Sequence, residues 1–249
     1  MIARRAARGI VSTARQLWKS AIERLEPDLA IDVGTNYGEC LLGVRYPSRT
    51  RAIGIEANPA LLPLIHETLA RHPDRDRIRL VHGLAGDTDG LEGRLHFDPR
   101  FTGTASAVAS ASSRLPQQVS VRSVSIDALI SESGASGTPT PIVFKLDIEG
   151  FEGVAMRGFK RLADVRDFIG ILEFDPAYLD GSPVDSQTLL GQLLARGVVL
   201  DSGRGIRDLR RIESMNQLRA LHSRSRGTLH TDLVLASSTD VLPSNWRIR

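Results

Sequence analysis

Five short apolar runs, widely spaced, constrain this chain most: LAIDV (29–33), RAIGIE (51–56), IRLVHGL (78–84), IVFKLDI (142–148) and FIGILEF (168–174). Each has strand length and carries β-branched residues, so each reads as a buried strand. Helical spacing or long connections separate them. Parallel pairing through right-handed crossovers is therefore the natural solution. VVLD (198–201) and TDLVLAS (231–237) bring the set to seven, the last two antiparallel, in a doubly wound α/β sheet closed by a hairpin.

The connections carry their own signals. Residues 2–25 predict an amphipathic helix with Ile10, Ala14, Leu17, Trp18, Ala21, Ile22 and Leu25 on one face, ended by Pro27. A short helix is expected from about Gly38. Another follows Asn58 as cap and Pro59 as first residue, with Pro63 an irregularity inside it. Asp127 is the expected cap of ALISES, and further helices are expected over about 151–162 and 185–197. EGRLHFD (92–98) reads as a small extra strand and VSVRSVSI (119–126) alternates like one. Residues 102–118 read as a loop covering a site, and 133–141 as a surface loop.

A chain of 249 residues, 41% hydrophobic, can bury one substantial core. The expected division is a helical extension over 1–28, one domain over 29–240 and a tail over 241–249. No apolar stretch approaches membrane-spanning length. The twin arginine at Arg4 and Arg5 lacks an apolar run behind it, so no secretory signal is expected. The single cysteine, Cys40, excludes an internal disulfide and suits a reducing compartment, so a cytoplasmic location is expected.

The basic balance, 32 Lys and Arg against 29 Asp and Glu, is almost wholly arginine, a bias expected of a GC-rich genome. Arg4, Arg5, Arg8, Arg15 and Lys19 form one cluster; Arg204, Arg207, Arg210, Arg211, Arg219, Arg224 and Arg226 form another. Solvated helix faces are the ordinary reading of such runs. An acidic acceptor, a nucleic acid or an anionic membrane surface are the alternatives.

In an open α/β sheet, function gathers at the carboxyl ends of the strands. The first strand ends in IDVGTNYGE, placing Asp32, Gly34, Thr35, Asn36 and Gly38 at the turn. Asn36 occupies the second glycine position of a dinucleotide loop, so a smaller cofactor fits better than a pyrophosphate. Glu56, followed by Ala57, ends the second strand, where a carboxylate accepts ribose hydroxyls. After the third strand, Ala85 and Asp87 are candidates to face an adenine, although Asp87 also suits a plain turn.

AIDVGTNYGE, IGIEANP, VHGLAGDTDG, SVSIDALI, FKLDIEGFE and GILEF occur in this order over about residues 29–174. The ordered set resembles the FkbM family of S-adenosylmethionine (SAM)-dependent methyltransferases. The resemblance implies a class I, Rossmann-like methyltransferase fold, SAM as methyl donor, and O-methylation of a saccharide or natural-product hydroxyl. Asp32, Gly34, Asn36 and Gly38 then match the SAM loop and Glu56 the ribose-binding acid.

FKLDIEGFEG places Asp147 and Glu149 at the end of the fourth core strand. Asp147 is the first candidate to touch cofactor or acceptor. Glu149 is either a general base or the opening residue of a helix, favoured by its dipole. Asp147, Glu149, Glu173 and Asp175 are hard oxygen ligands at adjacent strand ends, but spacing alone assigns no metal. FDPAY (174–178) reads as a turn. Two other functions compete: an RNA methyltransferase using the arginines, and a non-catalytic SAM- or nucleotide-binding protein. An aromatic content of 5% argues against base stacking, so nucleic acid is the less expected partner.

Overall fold

A computed structural model of the chain describes residues 12–98, 100–108, 115–132, 140–203, 205–223 and 229–249. Ile10, the arginines at 4, 5, 8, 204, 224 and 226, and residues 109–114 and 133–139 of the two expected loops lie outside them.

The apolar runs fold into β1 (Leu29–Val33), β2 (Arg51–Glu56), β3 (Ile78–His82), β8 (Ile142–Leu146) and β9 (Phe168–Phe174). Between β3 and β8 lie β4 (Leu84–Ala85), β5 (Glu92–Asp98), β6 (Phe101–Ser106) and β7 (Gln117–Val124). After β9 come β10 (Val198–Asp201), β11 (Arg210–Ile212) and β12 (Thr231–Ala236). The helices are α1 (Thr13–Leu25), α2 (Leu62–Ala70), α3 (Ile126–Glu132), α4 (Glu152–Arg157), α5 (Pro176–Leu179), α6 (Ser186–Leu194) and α7 (Met215–His222).

The main sheet runs β11-β10-β12-β9-β8-β1-β2-β3. The parallel strands β2, β1, β8 and β9 meet in register, with Asp32 opposite Lys145 and Asp32 opposite Gly54. β12 enters antiparallel between β9 and β10. The sheet thus has eight strands rather than the expected seven. The expected closing hairpin is replaced by a long connection that carries β11 and α7. The RRI segment of β11, three residues long, carries no usable period in the sequence.

Strand alternation sends the two faces into different cores. Ile31, Val33, Phe144 and Leu172 pack with Leu129, Met156, Phe159 and Leu189 on one side. Ala30, Val143 and Ile169 pack with Leu17, Trp18, Ile22 and Tyr46 on the other. α1 therefore covers the sheet; its N-cap is Ser12, whose Oγ accepts the Arg15 N–H at 3.3 Å. Residues 241–249, expected as a tail, fold back onto the same face through buried Val241, Leu242 and Trp246. Among the described residues no helix is long and apolar enough to cross a membrane.

Several local expectations are corrected. No helix follows β1; residues 36–42 form consecutive turns. Asn58 closes a turn by accepting the Ala60 N–H, and α2 starts only at Leu62, so Pro63 lies in its first turn where proline is tolerated. Ser125 Oγ accepts the Ala128 N–H, while Asp127 accepts the N–H groups of Lys160 and Arg161. The helix expected over 151–162 breaks after Arg157. Residues 102–106, expected within a loop, belong to β6 of a second sheet ordered β4-β7-β5-β6. Its small core holds Leu84, Leu95, Phe97 and Val121.

Candidate active site

The carboxyl ends of β1, β2 and β8 and the small sheet enclose a cavity of about 250 Å³. Gly34 and Asn36 lie on one wall with Glu56 and Ala57 beside them. Leu84, Ala85, Leu95, Ala105 and Ala107 make an apolar wall, and Asp147, Ile148, Glu149 and Glu173 close the remaining side. Asp32, Thr35, Gly38 and Asp87 are not brought to this lining.

The turn after β1 is built by long-range packing. Gly34 has φ +76°, and a Cβ there would lie 1.8 Å from the carbonyl oxygen of Asp147. Only glycine lets these two strand ends approach so closely. The Gly34 and Thr35 N–H groups both donate to the Ile55 carbonyl, at 3.0 and 3.2 Å. The Asn36 N–H donates to Glu56 Oε2 at 2.7 Å, and the Asn58 N–H to Glu56 Oε1 at 2.8 Å. These amides are spent inside the protein and, with no helix behind them, leave no phosphate nest of the dinucleotide kind. They instead hold Glu56 in one orientation. Burial raises its pKa, and the two N–H donors oppose that rise.

Asp32 is fully buried on the α1 side of the sheet. Its Oδ2 accepts the Leu41 N–H at 3.1 Å, and its Oδ1 accepts from Lys145 Nζ at 3.2 Å. Lys145 also donates to the Gly34 carbonyl at 3.1 Å and reaches Asp147 Oδ2 at 3.2 Å. Burial alone would lower the Lys145 pKa, but Asp147 and Asp32 outweigh it and hold the ammonium well above its ordinary value. Asp32 thus acts on the cavity through Lys145, not by contact. Asp87 is spent on an ion pair with Arg157 at 2.9 Å.

Glu149 does not open the next helix. Its backbone is left-handed, φ +54°, and Ser106 Oγ donates to its carbonyl at 2.7 Å. Glu152, the first residue of α4, turns its carboxylate back to accept the N–H groups of Ile148 at 2.8 Å and Gly150 at 3.0 Å. The Glu149 side chain is left facing the cavity. Burial first, then the Asp147 charge, raises its pKa to about 8.

Oxygens of Asp147, Glu149 and Glu173 all lie within 4.8 Å of one another. Glu173 is 9% exposed, and its Oε2 is buried with no hydrogen-bond partner. Its Oε1 lies 3.7 Å from His230 Nε2, while His230 Nδ1 lies 3.2 Å from Asp175. Burial, then Asp147 and Glu149, raises the Glu173 pKa well above its usual range. Asp175 caps α5 by accepting the Ala177 N–H at 2.8 Å, so FDPAY opens a short helix. The sequence signal for the apolar wall was the alternation of 92–98; that of 101–106 was obscured by small residues.

The methyltransferase FkbM domain model matches residues 32–189, well over half of the chain. The chain belongs to the FkbM methyltransferase family. SAM is accordingly the methyl donor of this FkbM protein. No curated protein sequence matches it. Among solved structures it is similar to TomG, an O-methyltransferase from Streptomyces achromogenes in complex with SAM, at 12% identity and TM-score 0.44, over 92% of this chain and 82% of that one. It is also similar to an O-methyltransferase from Bacillus cereus in complex with SAH, at 13% identity and TM-score 0.44, over 94% and 86%. The C-terminal domain of precorrin-6Y C5,15-methyltransferase from Rhodobacter capsulatus shares 17% identity at TM-score 0.42, over 92% and 90%. Likenesses this remote carry no information about the acceptor of the FkbM protein.

Proposed function

We propose that this FkbM methyltransferase methylates a hydroxyl oxygen of an uncharged polyol, either a saccharide or a hydroxylated natural product. The residues of the cavity fit SAM. The tethered carboxylate of Glu56 suits the vicinal ribose hydroxyls, and the apolar wall of Leu84, Ala85, Leu95, Ala105 and Ala107 suits the faces of a purine. Bound SAM supplies an electrophilic methyl carbon on a sulfonium.

The observation that carries the acceptor class is the convergence of Asp147, Glu149 and Glu173 at the cavity. Carboxylates accept hydrogen bonds from hydroxyls and repel phosphates. Asp147, held by Lys145 at 3.2 Å, orients; Glu149 takes the hydroxyl proton as the oxygen gains its methyl group and passes it to water. A base with a pKa near the working pH is well matched to that task. The RNA reading fares worse, because clustered arginines among the described residues face carboxylates: Arg210 stands 3.7 Å from Asp208 and Arg211 3.7 Å from Glu213.

The test is release of S-adenosylhomocysteine (SAH) from SAM in the presence of neutral glycosides, hydroxylated natural products, or RNA. Turnover is expected with a hydroxylated neutral acceptor, and Glu149→Gln is expected to lower kcat by roughly 10²-fold or more, the scale of general-base catalysis. Turnover confined to RNA or to amines would sink the proposal.

A further inference from the structure

Three carboxylates meet in a half-buried pocket, and among the described residues the cations paired with them are Lys145 and His230. Lys145 is committed to Asp32, the Gly34 carbonyl and Asp147 Oδ2. His230, its side chain 58% exposed, sits between Glu173 Oε1 and Asp175. Neither reaches Glu149. Further acids stand around the cluster: Glu152, turned onto the Ile148 and Gly150 N–H groups, Asp175, and Asp232 opposite Glu173 on the neighbouring strand.

We infer that one carboxylate oxygen each from Asp147, Glu149 and Glu173 together bind a divalent cation of the Mg²⁺ or Mn²⁺ kind. Two observations meet here. The three oxygens lie within 4.8 Å of one another. Oxygens on an octahedral cation held at about 2.1 Å stand roughly 3.0 Å apart when adjacent and roughly 4.2 Å when opposite, so a small closing of the three side chains brings them into one coordination sphere. Independently, Glu173 is a buried acid with an orphan oxygen: Oε2 has neither solvent nor a hydrogen-bond donor, although its residue lines the cavity. An unpaired buried carboxylate oxygen is costly, and it has no other neutralising partner among the described residues.

The ligands come from well-supported positions. Glu173 lies within β9, Asp147 directly follows β8, and the left-handed backbone at Glu149 turns that side chain back toward both. Hard oxygen donors without histidine or cysteine select a hard cation. Three protein ligands leave coordination positions for water or for an acceptor oxygen. A hydroxyl in that shell loses its proton more readily: the O–H electron pair stays on oxygen and the proton passes through a carboxylate to water. That catalytic use rests on the hydroxyl-methylation reading; binding of the cation does not.

Mn²⁺ titration of the full chain at pH 7.5 without SAM, followed by the electron paramagnetic resonance signal of free Mn²⁺, tests the site. One Mn²⁺ per chain is expected, displaced by excess Mg²⁺. Affinity is expected to fall at least tenfold in Glu173→Gln and in Glu149→Gln, each checked for native melting. Wild-type protein that binds SAH but no Mn²⁺ would overturn the cation site and leave methyl transfer standing. Mn²⁺ binding unchanged in both variants would also overturn it. Mn²⁺ binding without SAH binding would support the cation site and overturn the reading under Proposed function instead.

Discussion

At the scale of single residues, the cavity is organised by side chains that hold other side chains. The Glu56 carboxylate, proposed for the ribose diol, is held in one orientation by the Asn36 and Asn58 N–H groups. Preorganisation of this kind lowers the ordering cost of binding. Glu56→Ala is expected to weaken SAH binding at least tenfold, about 1.4 kcal/mol, in a calorimetric titration with the melting curve as control. Unchanged affinity would remove Glu56 from the ribose position. Lys145 is the second organiser, spanning Asp32 and Asp147. The spacing of FKLDIEG shows that Lys145 and Asp147 alternate on one side of the strand, but not that Asp32, 113 positions from Lys145, completes the pair.

At the scale of elements, the core strands were legible because continuous apolar runs are what a sheet covered on both faces requires. β1, β8 and β9 are buried along their whole length. The small sheet was only half legible: β5 and β7 alternate, whereas the Gly, Thr and Ala residues of β6 offer no contrast between faces. Over Thr13–Leu25 the expected amphipathic helix is present as α1, and packing decides what its apolar face does. Trp18 is fully buried against the sheet. Trp18→Ala is expected to cost about 3–5 kcal/mol in denaturant unfolding, as large-to-small core changes do. A cost below about 1 kcal/mol would make α1 a peripheral appendage.

At the scale of the whole molecule, Asp74 ties the loop after β1 to the loop before β3. It accepts from Arg45 at 2.9 Å, from the Tyr46 N–H at 3.0 Å and from Arg77 at 2.7 Å. Arg45 foremost, with the Tyr46 N–H and Arg77, holds its pKa down at about 2, against an ordinary 3.8. The sign follows from linkage: the folded state binds this proton less readily, so the stabilisation is full above about pH 4 and lost as pH falls through about 2. It amounts to about 2 kcal/mol. Asp74→Asn is expected to lower the melting temperature at neutral pH and to flatten its fall between pH 4 and 2. An acid profile identical to wild type would refute this linkage.

The sequence by itself determined the order of the core strands, the class of sheet they form, the cofactor expected at their carboxyl ends and the family. Those properties follow from local periodicity and from words contiguous in the chain. The tertiary structure decided which carboxylates meet. Asp32 turns away because it shares the strand face of Ala30, and Glu149, left-handed at φ +54°, faces the cavity while Glu152 holds the N–H groups of Ile148 and Gly150 on either side of it. Glu173 joins Asp147 only because β9 lies beside β8. Strand register, the sign of φ and burial on both sides are set by contacts distant in the chain, so they fall outside any local pattern.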